Sequence, residues 1–225
     1  MHGRRRFRVP LAAGVLATML ASPVARGAPA SAAAAPVLAG LQAWLDGTVS
    51  LRADFRQSLV SGALGTATVE TGSLYLERPG KLRWDYREPD KKIALLLGDR
   101  TFLYLEDDRQ FVRGRLAADQ ALFPRLLAGA DRVVALFDAT LVATPREGGN
   151  GSYRLRLTPK ERPGGVAVVT LVLADKTFAI TGAEVLDEAG NRMTYSLGHL
   201  VRNGPQPEGV FAFEPPPGTE IVDTP

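Results

Sequence analysis

The sequence predicts a mainly β protein: one long, strongly curved antiparallel sheet of about eleven strands, with helices packed against its inner face. Three observations carry this reading. Period-2 alternation of apolar and polar residues recurs in short segments along most of the chain. Gly, Pro, Asp and Asn turn residues separate those segments at hairpin spacing. Helix-like spacing interrupts the pattern in two places. A sheet this long must curl, close or be covered.

The elements follow in chain order. Residues 4–8 carry Arg4, Arg5, Arg6 and Arg8, and residues 9–21 (VPLAAGVLATMLA) form an apolar run too short to span a bilayer comfortably. Small residues follow, with an Ala-x-Ala pattern at Ala28–Ala30. Residues 1–30 therefore read as a cleaved signal peptide, with Sec export preferred over the twin-arginine route. A single domain is expected over residues 31–225, since neither a linker nor an internal repeat divides the chain. Residues 36–46 (PVLAGLQAWLD) place Leu38, Leu41, Trp44 and Leu45 at helical spacing, with Gly47 as the stop. Residues 51–59 alternate: Leu51, Ala53, Phe55, Gln57 and Leu59 on one side, Arg52, Asp54, Arg56 and Ser58 on the other. Gln57 is the one polar intruder on the apolar side. Strands are expected at 67–77, 81–87, 92–97, 101–106 and 110–113. Residues 116–137 (LAADQALFPRLLAGADRVVALF) turn helical, with a break at Pro124 and a second turn from Arg132. Strands return at 139–144, 153–158, 166–173, 178–186 and 192–197, and FAFEPPPGTEIV closes the chain.

Composition excludes several functions. The formal net charge is +3, but residues 1–30 hold five arginines and no acid. Setting those aside lowers the 27 basic residues to 22 against 24 acids, a net of −2. Nucleic-acid binding thus loses its charge argument. Cysteine is absent, so the exported chain relies on its core, and no lipid anchor on cysteine is available to it. After residue 30 the one histidine is His199, which leaves no zinc ligand set and no Gly-x-Ser-x-Gly elbow beside it. Gly-rich segments show neither Walker nor Rossmann spacing. Carboxylates at Asp85/Glu88 and Glu106/Asp107/Asp108 are available as pairs, though acids beside turns are usually solvated. No cofactor, no metal and no enzyme activity are expected. What remains is apolar surface. Residues 93–97 (IALLL) and 166–173 (VAVVTLVL) are apolar on both faces, as a core or as a cavity for acyl chains.

Five segments together resemble a known family. They are LRADFRQ at 51–57, Gly-x-Leu at 72–74, RPGKLRWDYREP at 78–89, LLLGDRTFLYLED at 95–107 and the closing FAFEPPPGTEIV. In order and spacing they are similar to the periplasmic lipoprotein carriers of the LolA type, over roughly residues 36–222. The resemblance implies an incomplete, half-open β-barrel whose helices form a lid over the concave face. It implies a carrier that takes acylated lipoproteins from an inner-membrane lipoprotein-releasing ABC transporter and passes them to an outer-membrane receptor. A soluble periplasmic monomer is expected, the missing cysteine favouring the carrier over the anchored receptor. Arg78, in the Arg-Pro motif, is implied as the latch that binds lid carbonyls. Strand alternation names Phe55, Leu74, Leu82, Trp84, Tyr86, Ile93 and Leu95 as cavity candidates, and the lid adds Leu122, Phe123, Leu126 and Leu127. A register slip would turn any strand's set outward. A LolA-like binder or sensor of another lipid or glycolipid stands as the alternative.

Overall fold

The structure, a computed structural model, describes residues 32–116, 126–128, 132–145, 151–161 and 165–224. The expected signal segment, and Leu122 and Phe123 of the expected lid, lie outside the described residues.

Helix α1 (Ala35–Asp46) starts with Pro36 in its first turn, where a missing N–H leaves no bond unmade. Val37, Leu38, Leu41, Trp44 and Leu45 are buried along one face, as their spacing requires. Gly47 ends the helix by donating its N–H to the Ala43 carbonyl at 3.0 Å. Gly40 lets the helix seat against a ring: a Cβ there would stand 2.5 Å from the Phe178 ring. Phe178 in turn stacks on Tyr153 with centroids 5.6 Å apart.

The strands are β1 (Ser50–Val60), β2 (Ala67–Glu77), β3 (Lys81–Glu88), β4 (Lys92–Leu97), β5 (Arg100–Leu105) and β6 (Gln110–Arg115). After the short α2 (Val133–Leu136) come β7 (Phe137–Ala143), β8 (Ser152–Pro159), β9 (Val166–Ala174), β10 (Ile180–Asp187), β11 (Arg192–Arg202) and β12 (Glu220–Asp223). They form one 12-stranded sheet in the order β12-β6-β5-β4-β3-β2-β1-β11-β10-β9-β8-β7. Among the described residues its two edges, β12 and β7, do not pair with each other, so the sheet is open rather than a closed barrel. Eleven strands match the periodicity. The twelfth, β12, pairs parallel to β6, and four residues reached by a long crossing segment leave no hairpin signature. The strand expected from Phe178 begins at Ile180, because Phe178 sits at φ 55 in the preceding turn.

Register fixes the two faces, since directly opposed residues share a side. Leu51, Leu76, Leu82 and Leu96 face one another across β1–β4. So do Ala53, Leu74, Trp84 and Ala94. On the other flank, Phe55 leads to Leu197, and Gln57 to Tyr195, Ala183 and Leu171 across β11, β10 and β9. This is the inner face, and α1 packs on it. Gln42 of α1 accepts the Val133 N–H at 2.8 Å, tying α2 to α1.

The outer face of β3–β6 carries its own cover. Residues 203–219 cross it from the end of β11 to the start of β12. Arg83 donates to the Val210 carbonyl at 2.8 Å, and Phe213 packs on Tyr104 and Phe111 at 5.2 and 5.7 Å between centroids.

Candidate functional site

The inner face narrows to an apolar cavity of about 30 Å³ beneath α1. Trp44 and Leu45 roof it together with Leu127, while Leu51, Leu74, Leu76 and Trp84 floor it. Ile180, Ala183, Tyr195 and Leu197 close the far side. Trp84 also borders a second, more open apolar groove of about 280 Å³ over β4–β6, beside Ala94, Leu96, Leu103, Val112 and Leu116. One tryptophan therefore divides two apolar spaces on a continuous face.

Arg78 stands at the edge of the roofed cavity, between β2 and the β3 turn. Its Nε and Nη2 donate to the Leu127 carbonyl at 3.0 and 2.9 Å, and its Nη1 donates to the Leu45 carbonyl at 2.9 Å. One side chain thus holds the end of α1 and the segment at 126–128 together. The next turn adds a backbone tie, as Gly80 N–H donates to the Ala128 carbonyl at 3.1 Å. Gly80 sits at φ 72, a conformation that suits glycine. Burial pulls the Arg78 guanidinium below its ordinary range, and Asp46 pulls the other way. It remains a cation with a rigid donor fork.

A second arginine closes the same helix end. Arg202 donates from Nη2 to the Trp44 carbonyl at 3.0 Å and from Nε to Thr48 Oγ1 at 2.8 Å, with its guanidinium over the Trp44 ring. Cations at a helix C-terminus meet the negative end of its dipole. Sequence reading missed Arg202, because its partners are more than 150 residues away.

The cavity candidates separate by register. Leu74 and Trp84 line the cavity; Phe55, Leu82 and Tyr86 share their face. Leu82 is wholly buried, and Phe55 meets Tyr86 edge-on at 5.0 Å. Leu126 and Leu127 are buried against the same core. Ile93 and Leu95 are corrected: they oppose Asp85 and Arg83, so their side chains belong to the outer face. Leu95 is buried there, and Phe213 packs on the neighbouring Tyr104 and Phe111. The IALLL run is apolar on both faces, so alternation has no phase to read; Ala94 and Leu96 are the inward residues. Leu95 and Phe102 still border the β4–β6 groove, although the pairing turns their side chains away.

Toward the far end of β1–β4 the inner face becomes polar. Gln57 donates to Glu70 Oε2 at 2.9 Å and accepts from the Tyr86 hydroxyl at 3.2 Å. Lys92 pairs with Glu70 and lies over the Tyr86 ring, 4.3 Å from its centroid. Gln57 was visible as an intruder in an apolar stripe. Glu70 and Lys92 lacked a signal until the register joined four strands. Burial, with a smaller contribution from Glu70, pushes the Tyr86 hydroxyl up to about 12.

His199 lies on the outer face at a bulge of β11, largely exposed, with Nδ1 2.8 Å from Asp54 Oδ2. The His199 contact, and then Arg87, hold the Asp54 carboxyl below its usual range.

The family described as "Outer membrane lipoprotein carrier protein LolA" matches residues 46–214. An outer-membrane lipoprotein carrier protein of Methylobacillus flagellatus is 32% identical over 184 residues, covering 81% of this chain and 86% of the relative. The corresponding protein of Methylococcus capsulatus is 29% identical over 183 residues, with the same coverage of 81% and 86%. Among solved structures, an uncharacterized conserved protein from Thermus thermophilus superposes with a TM-score of 0.55 at 13% identity, over 85% of this chain and 99% of that one.

Proposed function

The chain belongs to the LolA family of outer membrane lipoprotein carrier proteins, and from that premise we propose that it shields the acyl chains of lipoproteins on the inner face of its open sheet. It is a periplasmic carrier. The single observation that carries the structural part is the apolar inner face roofed by α1 and Leu127 and fastened by Arg78.

The cavity as it stands is smaller than its cargo. A water's share of liquid is roughly 30 Å³. Each methylene needs comparable room, so a long acyl chain requires the roof to lift and the cavity to join the β4–β6 groove. Burying a methylene gives about 0.8 kcal/mol, so two or three chains yield roughly 25–35 kcal/mol gross. A membrane gives the same. The carrier therefore needs a cost that lowers its grip enough for onward release. Breaking the bonds of Arg78 to Leu45 and Leu127 supplies that cost on opening, and re-forming them favours the emptied state.

Residues 1–30 direct export and are removed. The carrier works as a monomer between an ABC transporter at the inner membrane, which releases lipoproteins, and a receptor at the outer membrane. Depleting the protein tests this directly: outer-membrane lipoproteins should then accumulate at the inner membrane. Unchanged lipoprotein sorting, with a free lipid co-purifying in stoichiometric amount, would instead make the chain a carrier or sensor of that lipid.

A further inference from the structure

The polar end of the inner face is not needed to roof or fasten the cavity. Four strands contribute to it, Gln57 from β1, Glu70 from β2, Tyr86 from β3 and Lys92 from β4, all turned inward by the same register. Gln57 is 6% exposed, and the Glu70 and Lys92 side chains are 14% and 26% exposed. Exchanging a buried ion pair for packed apolar residues is often neutral or stabilising, so the pair is a poor device for stability alone. An otherwise apolar face that ends in a donor-rich, neutralised patch has the polarity of an amphiphile.

Resting on the carrier reading, we infer that Gln57, Glu70, Tyr86 and Lys92 form the site for the uncharged head of the cargo, the ester and amide carbonyls where the acyl chains join the protein. The spacing suits this. From Glu70 to Leu74 is four residues along β2, roughly 13 Å, and to Leu76 roughly 20 Å. Acyl tails of one bilayer leaflet reach about 15 Å. A head at Lys92 thus places tails along the Leu74–Trp84 floor toward Trp44 and Leu45. At the other end, the Arg78 fork is engaged by Leu45 and Leu127, and Arg202 is engaged by Trp44 and Thr48.

The charge pattern also chooses between lipids. Among the described residues, Glu70 is the one hydrogen-bond partner of the Lys92 ammonium, and it cancels that charge. The ammonium can still donate to a neutral carbonyl, as can the second N–H of the Gln57 amide, whereas the Tyr86 hydroxyl holds Gln57 in place. A phosphate would meet the Glu70 carboxylate at the same place, a like-charge contact that disfavours the wrong partner. The site therefore takes ester and amide carbonyls and rejects the anionic phospholipids that surround the cargo in a membrane.

Purified mature protein would be loaded with a fluorescent acyl probe. The probe would be displaced by a synthetic lipopeptide whose N-terminal cysteine carries three palmitoyl chains, or by phosphatidylglycerol. Wild type should prefer the lipopeptide. Glu70→Gln keeps the acceptor for Gln57 but frees the Lys92 charge, and should move the preference about tenfold toward phosphatidylglycerol. Glu70→Gln with Lys92→Gln, which leaves no buried charge unpaired, should weaken lipopeptide binding without that gain in phosphatidylglycerol. A preference unmoved by both variants, with the lipopeptide still bound by wild type, overturns the head-group site alone. Wild type that takes neither lipid overturns the carrier reading with it.

Discussion

On the proposed function, Arg78 sets the threshold for opening. Its three bonds reach two carbonyls on different segments, and no other side chain keeps that geometry: lysine has no planar fork, and leucine has no donor. Arg78→Leu should leave the fold and cargo loading intact while slowing transfer to the receptor by about tenfold or more, since each lost charge-assisted bond is worth about 1.5–3 kcal/mol. A two-compartment transfer assay reads both steps, and equal loading and release would remove the latch role. This residue was named through the resemblance to the LolA family, because the Arg-Pro-Gly corner alone reads as a surface turn. Tyr86 makes a second residue-scale prediction. Its folded-state value near 12 lies above the usual 10, so it contributes stability below pH 10 that is lost as pH rises toward 12. Tyr86→Phe should flatten that alkaline limb in a denaturant series. Asp54 has the opposite sign: its value is lowered, so its contribution is present above about pH 3.8 and lost as pH falls below it. Asp54→Asn should remove that part of the acid limb.

At the scale of elements, legibility followed alternation. β1 and β3 were readable as half-buried strands because charged residues alternate with their apolar ones, and their inward sets are Leu51, Ala53, Phe55 and Leu82, Trp84, Tyr86. β4 carries no such marks after Lys92, so its face was assigned one residue out of phase. Pairing geometry, which sequence does not display, settled it. The β1–β3 unit depends on Gly72, which lies between Phe55 and the strand carrying Tyr86. A Cβ there would stand 2.0 Å from the Asp85 carbonyl oxygen and 2.8 Å from the Phe55 ring. Gly72→Ala should therefore cost about 1–3 kcal/mol or more, seen as a lower urea midpoint with an unchanged slope. The same change should weaken the Phe55–Tyr86 contact and loosen the polar patch beyond it.

For the whole molecule, the crossing segment that ends in the edge strand β12 does what a further layer of helices does in other sheets. It covers the outer face of β3–β6, where Leu95, Tyr104 and Phe111 are buried. A chain ending at Gln206 loses Phe211, Phe213 and β12. Removing one well-packed aromatic costs about 3–5 kcal/mol, so thermal unfolding should fall by roughly 10 °C, with new binding of an apolar dye. An unchanged melting point would show that the cover is ornamental to stability. The covering role was hidden in the sequence, because FAFEPPPGTEIV has no periodicity and its partners lie about a hundred residues upstream. The unpaired edges β7 and β12 have a mechanical meaning. In a closed barrel, strand number and stagger dictate the bore, and widening it means tearing a ladder. Here the circumference is incomplete, so the sheet is a spring clip rather than a pipe. Its girth can grow by flexing between strands while every interstrand bond survives. On the proposed function, cargoes with different numbers of chains can then share one binding surface, and the resistance they meet comes from the fastening at Arg78 rather than from the wall.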